Sequence, residues 1–211
     1  MAIKITNATF LAEACNCYLV TETETGKHLL VDVGGFSKRM ELALKQIGVE
    51  KVDYILLTHG HYDHIMGVKA AKEAFGGEVV IHALDESYLH NGMLSLASLR
   101  GFKKEDYPDA DIIVNDGDVL SFGNEKIEVI HTPGHTPGCV CYKIGDVIFS
   151  GDTLFKLCVG RTDLPGGNTE TLLSSLKKLK ELDGDYEIYP GHEAASTLNY
   201  ERQYNPYMKN V

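Results

Sequence analysis

Tryptophan is absent from this 211-residue sequence, and proline occurs only six times. No apolar run approaches the roughly 18 residues that a membrane-spanning helix needs. The first twenty residues, MAIKITNATFLAEACNCYLV, hold no continuous apolar core behind a basic start, so a secretory leader is not expected either. Positive charge is scarce: 20 Lys and Arg face 30 Asp and Glu, a net charge of −10. Such a surface repels phosphate backbones, which excludes nucleic acid as a partner. Cysteine is sparse and odd in number. The C-x-C pairs Cys15/Cys17 and Cys139/Cys141 place both thiols on one face of a strand, which suits small core residues and a reducing compartment rather than a disulfide framework. With no low-complexity tract or linker, the expectation is one cytoplasmic domain spanning 1–211, with no membrane contact and an oligomeric state that the sequence leaves open.

What is present is an alternation of apolar runs and amphipathic segments. ATFLAEACNCYLVTET and HLLVDVGG read as paired strands around the turn Thr25-Gly26-Lys27. SKRMELALKQIG reads as a helix capped by Ser37, with Met40, Leu44 and Ile47 on one face and Gly48 as its stop. VDYILLTH is a buried strand, DHIMGVKAAKEAFGG a helix, and EVVIHA a strand. Residues 85–100 are expected to be helical. Strands follow in EKIEVIHT and CVCYKIGDVIFSGD. Next come a helix in TETLLSSLKKLKELDG, capped by Asn168, the strand YEIY and a terminal helix. Two halves of this kind, packed sheet to sheet with helices outside, make an α/β four-layer sandwich.

Four polar clusters directly follow apolar strands: His59-x-His61-x-Asp63-His64, HTPGHT, SGDTLF and PGHE. Ends of strands are where loops carry polar groups on a rigid base, so four such clusters point to one shared edge. Together they offer His59, His61, Asp63, His64, His135, Asp152 and His192. A closed structural zinc takes four ligands, usually including cysteine. Seven nitrogen and oxygen donors instead suit two divalent ions with open positions and a bridging carboxylate, roughly 3.5–4 Å apart. Zinc is the first expectation for these donors, and iron or manganese also suits them. His28, His82 and His90 stand outside the pattern as bystanders. His131 is read as a structural residue that fixes the Pro133-Gly134 turn. Asp32 either orients a ligand histidine or simply ends its strand.

The pattern His59-x-His61-x-Asp63-His64, then His135, Asp152 and His192, resembles the metallo-β-lactamase-fold hydrolases over nearly the whole chain. The resemblance implies an αββα sandwich with a binuclear site at one edge of its sheets. His59, His61 and His135 would hold one ion, Asp63, His64 and His192 the other, and Asp152 would bridge. HTPGHTPG, GDTLF, GRTDLPGG and YPGHE are most similar to the glyoxalase II group in its short bacterial form. That implies hydrolysis of a small thioester such as S-D-lactoylglutathione, by water activated between the two ions. Asp63 would be catalytic, orienting that water and taking its proton. The C-terminal helical region that helps larger members bind glutathione is not expected here, which implies a relaxed thiol preference. Arg161 either faces a substrate carboxylate or pairs with Asp163. Three rivals use the same residues: a lactonase, a persulfide dioxygenase with one iron on His59, His135 and Asp152, and a non-catalytic metal-binding module.

Overall fold

A computed structural model describes residues 2–9 and 15–211. Six strands form the first sheet: β1 (Ile3–Asn7), β2 (Tyr18–Glu22), β3 (His28–Val31), β4 (Tyr54–Leu56), β5 (Glu78–His82) and β6 (Ile112–Val114), in that spatial order. β1–β2–β3 are antiparallel, and β3–β4–β5–β6 are parallel. The second half supplies β7 (Val119–Phe122), β8 (Glu125–His131), β9 (Val140–Ile144) and β10 (Val147–Gly151). After a small ribbon of β11 (Leu154–Phe155) and β12 (Cys158–Val159) come β13 (Glu187–Pro190) and β14 (Ser196–Thr197). The second sheet runs β14-β13-β10-β9-β8-β7, with only β10 and β13 parallel.

The apolar runs are continuous because these strands are covered on both faces. Successive side chains alternate across a sheet. Thus Leu29 and Val31 enter the layer between the sheets with Leu56 and Val80, while Leu30, Ile55, Leu57, Val79 and Ile81 face helices. Helices α1 (Lys38–Gln46) and α3 (Val68–Phe75) close that outer face through Met40, Leu44, Ala71 and Phe75. The second sheet repeats the scheme. Val140, Tyr142 and Phe149 turn inward, while Cys141 and Ile148 meet α4 (Thr169–Lys180), α5 (Leu198–Tyr204) and α6 (Pro206–Lys209) through Leu176, Leu179, Leu198 and Met208. The layers are therefore α/β/β/α, as expected. Each fully buried Leu, Ile or Phe contributes roughly 1.5–3 kcal/mol, so the middle layer holds the two sheets together.

The caps follow the sequence: Ser37 Oγ accepts from Met40 N at 3.2 Å, and Asn168 Oδ1 from Thr171 N at 2.9 Å. Other details differ. Ile47 caps α1 beyond its last turn and is 59% exposed rather than part of the buried face. The single helix expected across 63–77 is split into α2 (Tyr62–Ile65) and α3 at Gly67, where a Cβ would stand 2.6 Å from the Gly35–Phe36 backbone. Residues 85–100 hold two short 3-10 turns, Glu86–His90 and Ala97–Arg100, instead of an α-helix, with Leu96 left-handed between them. The strand expected from Ala8 onward begins at Tyr18, and the expected stretch 10–14 lies outside the described residues. Cys15 and Cys17 are buried but precede the strand, and they serve different neighbours: Cys17 packs in the helix-side core, and Cys15 lies beside Asp32 and His64. Among the described residues, no helix is long and apolar enough to cross a membrane.

Candidate metal centre

The ends of β4, β10 and β13 and the start of β9 meet at one edge. Val140 N donates to Thr58 O at 2.9 Å, and Gly191 N to Gly151 O at 2.8 Å, which stitches the clusters together. The first cluster leaves β4 and enters α2, so His59 and His61 lie on the loop and Asp63 and His64 on the helix. His135 comes from the β8–β9 turn, Asp152 directly follows β10, and His192 follows β13. All seven residues expected from the sequence are thus brought together. Each triad draws donors from both sheets. His28, His82 and His90 belong to none of the donor groups.

The ring nitrogens are aimed by their second nitrogens. Asp32 accepts from Thr58 N (2.9 Å), Thr58 Oγ1 (2.8 Å) and His64 Nδ1 (2.9 Å). Thr58 Oγ1, having spent its proton on Asp32, accepts from His59 Nδ1 at 3.2 Å. His135 Nδ1 donates to Arg161 O at 2.6 Å. These bonds engage the Nδ1 atoms of His59, His64 and His135 and turn their Nε2 atoms toward the other donors. Asp32 is therefore an orienting residue, held at a left-handed φ of 49° that few side chains tolerate.

His61 Nδ1 lies 3.1 Å from His59 Nε2 and 2.9 Å from His135 Nε2. Lone pairs so arranged repel unless a cation lies among them, and donors on a tetrahedral zinc stand only slightly farther apart, at about 3.3 Å for bonds of ~2.0–2.1 Å. Burial, then the neighbouring His135, holds His61 down at about 3, so its ring is neutral at neutral pH. Burial likewise pushes His59 well below the ordinary range. The second triad is Asp63, His64 and His192. Here His64 Nε2 and Asp152 Oδ1 stand 3.4 Å apart, both buried, and neither makes a hydrogen bond. Buried polar atoms without partners are uncommon, and a pair converging on one point is what an ion would satisfy. His61 Nε2, the nitrogen opposite the Nδ1 that meets the other two rings, is also buried without a partner. His192 Nε2 lies 3.3 Å from Asp63 Oδ2 and 3.7 Å from Asp152 Oδ2. Although burial works against it, Asp63 is held well below the usual carboxylate range by His192 and His64. Gly191 keeps the ground clear: a Cβ there would fall 2.4 Å from Asp152 Oδ1 and 2.7 Å from His64 Cε1. The donor set thus fits two metal ions.

Above the donors opens a cavity of about 400 Å³, lined by Tyr62, Leu96, Phe155, Cys158, Arg161 and Leu164 among others. Arg161 forks onto Asp163 through Nε and Nη2 at 2.7 and 2.8 Å, so of the two expected roles the pairing is the one observed. His131 is structural and closes the loop that contains the Pro133-Gly134 turn. Its Nε2 bonds Pro137 O at 2.8 Å and its ring stacks on His82, with centroids 4.1 Å apart. Asn16 went unread in the sequence. It clamps the His192 loop, donating from its backbone N to Gly191 O (2.6 Å) and from Nδ2 to Pro190 O (3.1 Å) and Glu193 O (2.8 Å). An asparagine beside a cysteine pair carries no motif that would have marked it.

Known proteins resemble this chain in sequence and in fold. The chain is 37% identical over 92% of both sequences to an uncharacterised protein of Aquifex aeolicus, and 32% identical, again over 92% of both, to the hydroxyacylglutathione hydrolase GloC of Haemophilus influenzae. Among solved structures it superposes on the B3 metallo-β-lactamase BLEG-1 with a TM-score of 0.86, at 31% identity, covering 98% of this chain and 99% of that one. A di-iron-bound form of TTHA1623 gives a TM-score of 0.83 at 34% identity, covering 96% and 99%. A family model, the metallo-beta-lactamase superfamily, matches residues 11–192. By fold, by donor order and by these relatives, the chain belongs to the metallo-β-lactamase superfamily of metal-dependent hydrolases.

Proposed function

We propose that this chain hydrolyses a thioester of a small hydroxy acid, of the S-D-lactoylglutathione kind, at a centre of two divalent metal ions. His59, His61 and His135 would hold one ion and Asp63, His64 and His192 the other, with Asp152 shared. The observation that carries the reading is the convergence of bare donors, His64 Nε2 and Asp152 Oδ1 foremost, beneath one open cavity. Bound there, the ions would lower the pKa of water and polarise a carbonyl. Zinc is our assignment, and the di-iron form of TTHA1623 makes iron the alternative. The thioester rests on the Haemophilus relative, whose name is that of a hydroxyacylglutathione hydrolase.

The residues of the chain then divide the work. Asp63, ionised and at the rim, orients the attacking water and receives its proton at a carboxylate oxygen. The water oxygen bonds to the carbonyl carbon, the C–S bond breaks, and the sulfur leaves as a thiolate, so no strong general acid is needed. Phe155 and Leu164 offer apolar wall to the acyl group. Arg161 is engaged by Asp163, so a substrate carboxylate would have to displace that side chain to reach it.

The test is elemental analysis combined with assays on a thioester, a lactone and a β-lactam. We expect close to two ions per chain, and thioester turnover that chelator abolishes and metal restores. Opening of the β-lactam or the lactone without thioester turnover would reassign the substrate. A single iron with oxygen consumption on a persulfide would reassign the chemistry.

A further inference from the structure

Asp85 is a fully buried carboxylate that none of the chemistry above uses. It leaves β5 on the first sheet, and its own N–H is held by His82 O at 2.9 Å. Its Oδ2 accepts from Gly60 N at 2.9 Å and Thr136 Oγ1 at 2.7 Å, and its Oδ1 accepts from Gly138 N at 2.7 Å. Gly60 lies between His59 and His61, and Thr136 directly follows His135. One carboxylate therefore ties the two loops that carry the three imidazoles, one loop from each sheet. The fit is tight on both sides. A Cβ on Gly138 would stand 2.6 Å from Asp85 Oδ1, and a Cβ on Gly60 would stand 2.3 Å from Tyr88 Cβ, on the turn that Asp85 opens.

No basic side chain pairs with it in these contacts; its three partners are donors only. A carboxylate with three donors suits that pocket, whereas a protonated or amide group would turn a hydrogen toward one of them. A buried charge is costly to retain when it only fills space.

We infer that Asp85 is a positioning residue for the triad His59, His61 and His135, setting the approach of the His135 loop to the His59–His61 loop and so the affinity of that one metal position. The inference rests on the metal reading proposed above. Groups that orient metal ligands typically contribute 10–100-fold in metal affinity. The effect is local, because His64 is held by Asp32 and the His192 loop by Asn16 instead.

The experiment is zinc titration of the full-length chain against a chromophoric chelator, in the wild type, Asp85→Asn and Thr136→Val. Each is also measured with His192→Ala, which removes a donor from the other triad. We expect two equivalents in the wild type. Asp85→Asn weakens one of them 10–100-fold and leaves the other within about threefold, and the weakened equivalent is the one that survives in the His192→Ala background. A purely structural role would lower the melting temperature and weaken both equivalents alike, which overturns the inference. If Asp85→Asn does not fold, Thr136→Val decides, since it removes one of three bonds. A severalfold loss at the same equivalent supports the assignment, and unchanged affinity overturns it. Two equivalents of unaltered affinity in folded Asp85→Asn would sink the positioning role alone. A wild type that takes up no zinc or iron would sink the metal reading, and this one with it.

Discussion

The two triads are enclosed to different degrees. His59, His61 and His135 are each no more than 2% exposed, and their loops are tied from behind by Thr58 and Asp85. In the other triad His64 is equally buried, but the side chains of His192 and Asp63 are 35% and 21% exposed, and the His192 loop is held from outside by Asn16. Enclosure would make the first triad a preorganised metal position, with burial holding the His59 and His61 rings neutral. The second is open to the cavity, as the proposed hydrolysis would require of the position that admits water and substrate. Affinity and access are therefore divided between two positions a few ångströms apart.

The sharpest way to break that division is to change the exposed carboxylate. Asp63→Asn keeps size and shape but removes the charge. Thioester turnover should fall at least ~10²-fold, the scale of losing a group that acts in the transition state. Steady-state kinetics at saturating metal measures it, and full activity would mean that the rim is not where chemistry happens.

Protons test the same contrast. Asp63 raises the proton affinity of His192 above its ordinary 6.5, against the effect of burial, while burial holds His61 near 3. A metal competes with the proton on His192 below that pKa, and not with one on His61. Lowering the pH from 7 toward 5 should therefore weaken the second equivalent by at least ~10-fold per unit once below the His192 pKa, and the first far less. Stepwise metal retention after dialysis at each pH is the readout. Loss of both together would contradict the division.

Asn16→Ala removes the side-chain bonds of the outer clamp and leaves every donor in place. We expect about a tenfold loss at the second equivalent and none at the first, by competition titration. At the small end, His82→Ala should leave both equivalents and turnover within about twofold. His82 is buried and stacks on His131 outside both triads, so the cost should fall on stability alone, by roughly 0.5–3 kcal/mol. Inactivation of a well-folded His82→Ala would mean that the centre has been drawn too narrowly.

The seven residues that converge at the candidate centre were legible in the sequence because each sits within a few residues of an apolar run, where short polar motifs stand out. The alternation of Leu29, Leu30 and Val31 between layers was legible as a continuous apolar stretch, though not which residue faced which layer. Asp85 was not legible, since a lone acid in HALDES looks like any solvated turn; its partners Gly60, Thr136 and Gly138 are distant in sequence. The break at Gly67 was hidden for the same reason. Helical periodicity continues through it, but Gly67 N donates to Val33 O, and Asp63 O and His64 O accept from Cys15 N and Val33 N, so distant loops take the bonds a continuous helix would use. Ile47 shows the limit of counting by fours, since the chain had already left the helix when the next apolar position arrived.

Because each triad takes donors from both sheets, neither metal position exists in a chain whose halves have not yet met. The donors lie as far apart as residues 59 and 192, so their encounter is among the contacts of longest loop and slowest closure. Ion uptake then belongs to the end of folding rather than its beginning. Once seated, an ion would act as a rivet between halves joined by an apolar seam and by hydrogen bonds such as Val140 N to Thr58 O. Pulling the halves apart would require releasing it, so metal should prolong the lifetime of the native state more than it speeds its formation.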